Sequence, residues 1–145
     1  MAAFNGMFSC PLCDQLARPD SPFQVVRFAS STLLVGDHQF YPGYCVLVLN
    51  RHVRDMVDLE PAAQAEVLAE LMKAAMAVQR AYEPFKLNYA CFGNQVPHIH
   101  WHIFPRFSGE TNLTDQPFSA SGDFPAFRTT PQQAAEVADR LRRAL

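Results

Sequence analysis

No stretch of this 145-residue sequence approaches the roughly 20 consecutive apolar residues that span a bilayer. The N-terminal MAAFNGMFSCPLC has no basic region ahead of a long apolar one. Both absences argue against a membrane anchor or a secretory leader, and a cytoplasmic protein is expected. An excess of one charge sign is missing too: 12 Lys and Arg stand against 14 Asp and Glu, a net charge of -2, scattered without runs. A nucleic-acid groove or a surface drawn to anionic lipid concentrates basic residues, so any phosphate-bearing partner is expected to be small. There is no internal repeat and no low-complexity tract. Four cysteines without a secretory signal point to reduced thiols, with Cys45 and Cys91 as buried apolar residues and Cys10 and Cys13 as a metal or redox pair.

What is present is one domain's length of chain with 49% hydrophobic residues, enough for a real core. FQVVRF (23–28), STLLVG (31–36) and YCVLVLN (44–50) are rich in β-branched and aromatic residues, separated by Gly36, Pro42 and Gly43, and predict three strands in meander order. From Pro61 to Tyr82 the period changes, with Val67, Leu68, Leu71, Met72, Ala75, Val78 and Tyr82 forming one apolar stripe of a long helix. KLNYACF (86–92) reads as a fourth strand, Gly93-Asn94 as its turn, and the stretch from Pro97 as a fifth. Residues 107–129, rich in Gly, Pro, Ser and Asp, read as a long irregular connection, a lid or an interface arm. Thr130 and Gln133 offer a capping box for a closing helix. The expected fold is α+β: an antiparallel five-stranded sheet, one long helix and a C-terminal helix, in a single domain over 1–145. Its parts are a Cys-containing segment (1–21), a core (22–106), the irregular loop (107–129) and the last helix (130–145).

The chemistry concentrates in NQVPHIHWHIFPR, residues 94–106. A strand has side-chain period two, so His98, His100 and His102 share one face while Ile99, Trp101 and Ile103 share the other. Alternate residues stand roughly 6.5–7 Å apart, which leaves the outer two about 13 Å apart, too far to share one metal ion without a sharp bend. One polar histidine on a half-exposed strand would need no function; three in register, with no Thr or Lys among them, do. A neutral imidazole is a nucleophile without negative charge, able to approach a phosphate that would repel Asp or Glu, and its pKa lies near neutrality. Neighbouring histidines and backbone N–H groups can stabilise charge on the phosphoryl oxygens.

HIHWHIF (98–104) resembles the His-φ-His-φ-His-φ-φ signature of the histidine triad family of nucleotide hydrolases and transferases, and the similarity runs from about Phe23 to Arg106. It covers the strand order, the single long helix, the Pro-Gly before a hydrophobic strand, Asn-Arg-His after it, and LNYACFGNQVPH leading into the triad, and is similar to the bacterial diadenosine tetraphosphate hydrolase-like branch. The resemblance implies that His100 attacks the α-phosphate of a nucleotide, forming a nucleotidyl-histidine that water cleaves, with its remote N–H held by a backbone carbonyl near the first histidine. It implies that His102 contacts phosphate on the leaving-group side and that His98 braces the nucleophile. It matches Gly93, Asn94 and Gln95 to the phosphate-side loop, with Asn88 as a further contact. Asp37 matches an acid that holds ribose hydroxyls, or is a turn aspartate; Arg106 meets distal phosphates, or is an exposed strand-end arginine. A homodimer is also implied.

Two departures stand out. Many relatives carry a fourth histidine after Pro-Gly, where this sequence has Tyr44. The loop before the triad is several residues shorter than in nucleoside phosphoramidate hydrolases. The Cys10–Cys13 pair by itself fits two ordinary thiols, a redox pair or half of a zinc site. Several bacterial members of the family complete a similar pair with the histidine after the third strand and the first triad histidine, here His52 and His98. That set would form a closed structural zinc site and leave His100 and His102 free. The expected activity is hydrolysis or nucleotidyl transfer on a dinucleoside polyphosphate or a related conjugate. The alternatives are a phosphoramidate hydrolase, a zinc-stabilised nucleotide-binding module with little catalysis, and a metal enzyme using the triad itself as ligands. No organic cofactor is expected.

Overall fold

The three N-terminal hydrophobic runs and the two that follow the long helix assemble into one antiparallel sheet. The computed structural model describes residues 9–118 and 124–145. In chain order its elements are α1 (Pro11–Leu16), β1 (Gln24–Arg27), β2 (Ser31–Val35), β3 (Cys45–Leu49), a 3-10 turn (Met56–Asp58), α2 (Pro61–Tyr82), β4 (Lys86–Ala90), β5 (His100–Arg106), a second 3-10 turn (Phe124–Phe127) and α3 (Pro131–Ala144). The sheet order is β1-β2-β3-β5-β4, every pair antiparallel. Every residue of β2 is buried because both of its faces are covered. Leu33 and Val35 pack in one cluster with Leu71, Ala74, Ala75 and Val78 of α2 and Ala134, Ala138 and Leu141 of α3. Leu34 packs with Val48 and with Leu16 of α1 on the other face.

Local signals set the helix boundaries. Pro61 occupies the first turn of α2, and Glu83 caps its end in the left-handed conformation at φ 48°. Thr130 and Gln133 form the expected capping box, each side chain accepting from the other's backbone N–H. The buried arc of α2 is rotated from the expected stripe: Leu68 and Met72 are 43% and 45% exposed, while Ala74 and Ala77 are fully buried. Small residues let α3 dock closely, so the packed side follows the alanines rather than the largest apolar residues.

The link between β4 and β5 is longer than the two-residue turn expected at Gly93-Asn94. It occupies residues 91–99, with Gly93 at φ 69°, and the strand starts at His100 instead of Pro97. The Ile99 N–H donates to the Val53 carbonyl and the Ile99 carbonyl accepts from the Leu49 N–H, so His98 and Ile99 join the chain leaving β3 before the ladder begins. Cys91, expected to be buried, is exposed on this link, whereas Cys45 lies fully inside. Helix α1 was not anticipated; Pro11 at its start and Asp14 in its first turn are its local signals. Among the described residues no helix is long and apolar enough to cross a membrane.

Candidate active site and metal cluster

Strand β5 turns Ile103 and Trp101 toward the helices and His100 and His102 toward α1. A cavity of about 420 Å³ opens there, lined by His100, His102, Asp37, Tyr44, Arg18, Arg128 and Thr129, with Leu12, Phe23, Leu34, Val35 and Val46 among its apolar walls. The Nδ1–H of His100 donates to the carbonyl of His98 at 2.6 Å, which leaves Nε2 unprotonated in the neutral ring. This is the backbone acceptor that the resemblance called for. The rings of His100 and His102 meet edge to face at 5.0 Å between centroids.

His102 is held differently. Its Nδ1 lies 2.7 Å from the Tyr44 hydroxyl, and its ring stacks on Phe104 at 9°. Burial, reinforced by the nearby His100 and His38, lowers its pKa to about 4, so the ring is neutral at physiological pH. Tyr44 is raised well above the usual phenol range, first by burial and then by the charge of Asp37. His38, which was not among the expected site residues, lies tilted by 32° over Tyr44 with centroids 4.7 Å apart and stacks on Phe124 at the same separation; burial lowers its pKa against the opposing pull of Asp37.

His98 is completely buried. Its Nε2–H donates to the Leu49 carbonyl at 2.7 Å, which directs an unprotonated Nδ1 toward the cysteines. That Nδ1 lies 3.4 Å from Cys10 Sγ and 3.5 Å from Cys13 Sγ, and His52 Nδ1 lies 3.4 Å from Cys13 Sγ. All four donor atoms fall within 4.8 Å of one another. Tetrahedral zinc bound to sulfur and imidazole has ligand-to-ligand edges of roughly 3.5 Å, so the cluster has the donor types and spacing to hold a metal ion.

The other expected residues are distributed unevenly. Asp37 lines the cavity, placed by hydrogen bonds from the Thr129 N–H to its carbonyl and from the Thr129 hydroxyl to the Gly36 carbonyl. Gly93 lines a second cavity of about 340 Å³ that also touches His100, whereas Asn94 and Gln95 are exposed and line neither. Arg106 is not an exposed strand-end residue. It is 1% exposed, and its guanidinium donates to Glu110, to Asn88 Oδ1 and to the carbonyls of Asn112 and Asp115. The structure therefore places Arg106 and Asn88 at the base of the loop after β5, outside the histidine cavity. Arg18 and Arg128, which carried no motif, stand in the cavity wall instead.

The sheet, its covering helices and the histidine face together define a histidine-triad fold, and the HIT domain model matches residues 20–109. The chain belongs to the HIT domain family. An AP-4-A phosphorylase of Mycobacterium tuberculosis is 27% identical over 82 residues, covering 52% of this chain and 42% of that protein; the chain thus spans less than half the length of the curated relatives it matches. Among solved structures, a histidine triad protein from Marinobacter aquaeolei superposes with a TM-score of 0.76 at 23% identity, covering 97% of each chain. A zinc-bound histidine triad family protein from Mycobacterium smegmatis gives 0.69 at 22%, covering 94% of this chain and 92% of its own. At these identities the structures establish a shared fold.

Proposed function

We propose that the protein is a nucleotide hydrolase or nucleotidyl transferase acting on the α-phosphate of a dinucleoside polyphosphate or a related nucleotide conjugate. The observation that carries this reading is the His100 ring, whose Nδ1–H is committed to the His98 carbonyl at 2.6 Å while the ring lines a cavity shared with His102 and Asp37. In this reading Nε2 of His100 attacks the α-phosphorus, the bond to the polyphosphate oxygen breaks, and that group departs as an anion. Water then attacks the nucleotidyl-histidine, the P–N bond breaks, and His100 recovers its lone pair as a mononucleotide and a proton leave. His102 donates to a phosphoryl oxygen, His98 braces the nucleophile through its carbonyl, and Asp37 accepts from ribose hydroxyls. Arg18 and Arg128, in the wall of the histidine cavity, meet phosphates in place of Arg106, which was expected to meet the distal ones. Gly93, with the exposed Asn94 and Gln95 beside it, contributes from the second cavity.

Cys10, Cys13, His52 and His98 hold a structural zinc in this reading; the ion would tie α1 to the sheet, and reduced thiols fit a cytoplasmic location. A homodimer is supported by the exposed Leu68, Met72 and Met76 of α2 and by β4, an edge strand flanked by exposed Phe85 and carrying exposed Tyr89. The test is intact-protein mass spectrometry of wild type and His100→Ala after rapid acid-free quenching with diadenosine tetraphosphate. Mononucleotide release is followed in parallel, with and without inorganic phosphate as the acceptor. A nucleotide-sized adduct and product in wild type, both lost in the variant, are expected. Nucleotide binding without turnover of any dinucleotide or phosphoramidate substrate would turn the reading to a zinc-stabilised binding module.

A further inference from the structure

We propose that Tyr44 is a positioning residue: by donating its phenolic proton to Nδ1 of His102, it fixes this imidazole with its own proton on Nε2. His102 then offers the substrate a hydrogen-bond donor and no readily transferable proton, and the site favours leaving groups that depart as stable anions over amines. The inference about leaving groups rests on the nucleotidyl-transfer reading above; the inference about the proton's location does not.

The Tyr44 side chain is 3% exposed, and among the described residues the sole hydrogen-bond partner of its hydroxyl is His102 Nδ1 at 2.7 Å. A buried phenol O–H needs an acceptor, so the tyrosine donates and Nδ1 receives. A proton added at Nδ1 would force the hydroxyl to turn and accept, which would leave the phenol hydrogen with nothing to bond. The ring planes are fixed by stacking: Tyr44 lies on Phe104 at 10° and 4.4 Å, His102 lies on the same Phe104 at 9°, and His38 covers Tyr44. Gly36 supplies the space, since a Cβ there would fall 2.2 Å from Tyr44 Cδ1. Register explains the pairing, because Val46 of β3 stands opposite His102 and brings Tyr44 to the histidine face. Burial of His102 acts in the same direction by disfavouring its charged form. An amine leaving group must gain a proton as it departs, which a neutral imidazole N–H supplies poorly; a polyphosphate leaves as an anion without one.

The test reads the proton directly. Protein labelled with 15N in the histidine rings is examined by long-range 1H–15N correlation at pH 7.5, with His102 identified by the loss of its signals in His102→Gln. Wild type is expected to show the Nε2–H form, and Tyr44→Phe, which removes only the hydroxyl, a mixture of the two neutral forms. An Nδ1–H form in wild type, or an unchanged Nε2–H form in Tyr44→Phe, overturns the proposal. In kinetics Tyr44→Phe is expected to lose about tenfold in kcat on diadenosine tetraphosphate with KM nearly unchanged, about one hydrogen bond's worth. Tyr44→His should raise kcat/KM for adenosine phosphoramidate relative to diadenosine tetraphosphate, and an unchanged ratio would overturn the selectivity. If wild type turns over neither substrate, the nucleotidyl-transfer reading and the selectivity fall together, while the NMR result still decides where the proton sits.

Discussion

Replacing Arg106 tests whether its burial serves the fold or a substrate. Arg106→Ala removes a guanidinium whose side chain is 2% exposed and which bridges β5, β4 and the loop after β5. The Glu110 carboxylate, itself 19% exposed, would lose its ion pair, and Asn88 Oδ1 and two backbone carbonyls would lose donors. The cation over the Tyr41 ring, 5.1 Å from its centroid, would go as well. Adding full hydrogen-bond values would overshoot, because the arginine also pays desolvation. Breaking one side of a buried pair costs about 3–5 kcal/mol. With a urea m-value of about 2 kcal/mol/M, a 4 kcal/mol loss lowers the midpoint by roughly 2 M. Trp101, the single tryptophan, packs against the core and reports the transition by fluorescence. Arg106→Lys keeps the charge and loses the fork, and is expected to recover less than half of the loss. A loss under about 1 kcal/mol for Arg106→Ala, or a stable Arg106→Lys whose main defect is a raised KM for polyphosphate, would refute the structural assignment.

Protein expressed in zinc-containing medium should carry about one zinc per chain by elemental analysis. Cys13→Ser should lose the zinc and lower Tm by on the order of 10 °C, and an unchanged Tm would argue against a structural metal. The depressed pKa of His102 has a definite sign for stability. Below pH 6.5 the unfolded chain protonates this imidazole, whereas the folded protein does so only near pH 4; stability therefore falls as pH drops through that window, and the effect vanishes above it. The difference in unfolding free energy between wild type and His102→Gln should accordingly change by about 3 kcal/mol from pH 7 to pH 4, and a flat difference would contradict the neutral buried ring. Gly43→Ala places a Cβ at φ 91° and 2.7 Å from Tyr82 Cδ2, and should cost about 2–4 kcal/mol in chemical denaturation. A neutral effect would mean that this turn relaxes freely.

Features written in local chemistry were legible in the sequence. Pro61, Thr130 and Gln133 act within a turn or two of themselves, so α2 and the start of α3 fall where they were expected. Period two likewise holds for His100 and His102, which share one face of β5, whereas His98 lies just before the strand. Features decided by distant partners were not legible. The start of β5 depends on Val53 and Leu49 pairing with Ile99, while the glycine and asparagine nearby imitate a tight hairpin. Leu68 and Met72 outrank alanine in hydrophobicity, yet α3 selects the alanine side of α2. Arg106 is buried by carbonyls of a loop whose path no motif announces, and Arg18 reaches the cavity because α1 folds back over the sheet. The partnership of Tyr44 with His102 needs the β3–β5 register, which is a property of the folded sheet.

The cluster of Cys10, Cys13, His52 and His98 also bears on the order in which the chain can fold. Cys10 and Cys13 are made before the histidines they face: His52, 39 residues beyond Cys13, and His98, 88 residues beyond Cys10. The hairpins from β1 to β3 can pair as they emerge, whereas the N-terminal helix has no complete berth until His98, just ahead of β5, has joined the end of β3. Leu12, Gln15 and Arg18 travel with that helix, and Arg128 and Thr129 come from beyond β5, so the cavity closes only when segments from both sides of the histidines have docked. A newly made chain would thus carry its histidines before it carries a closed pocket.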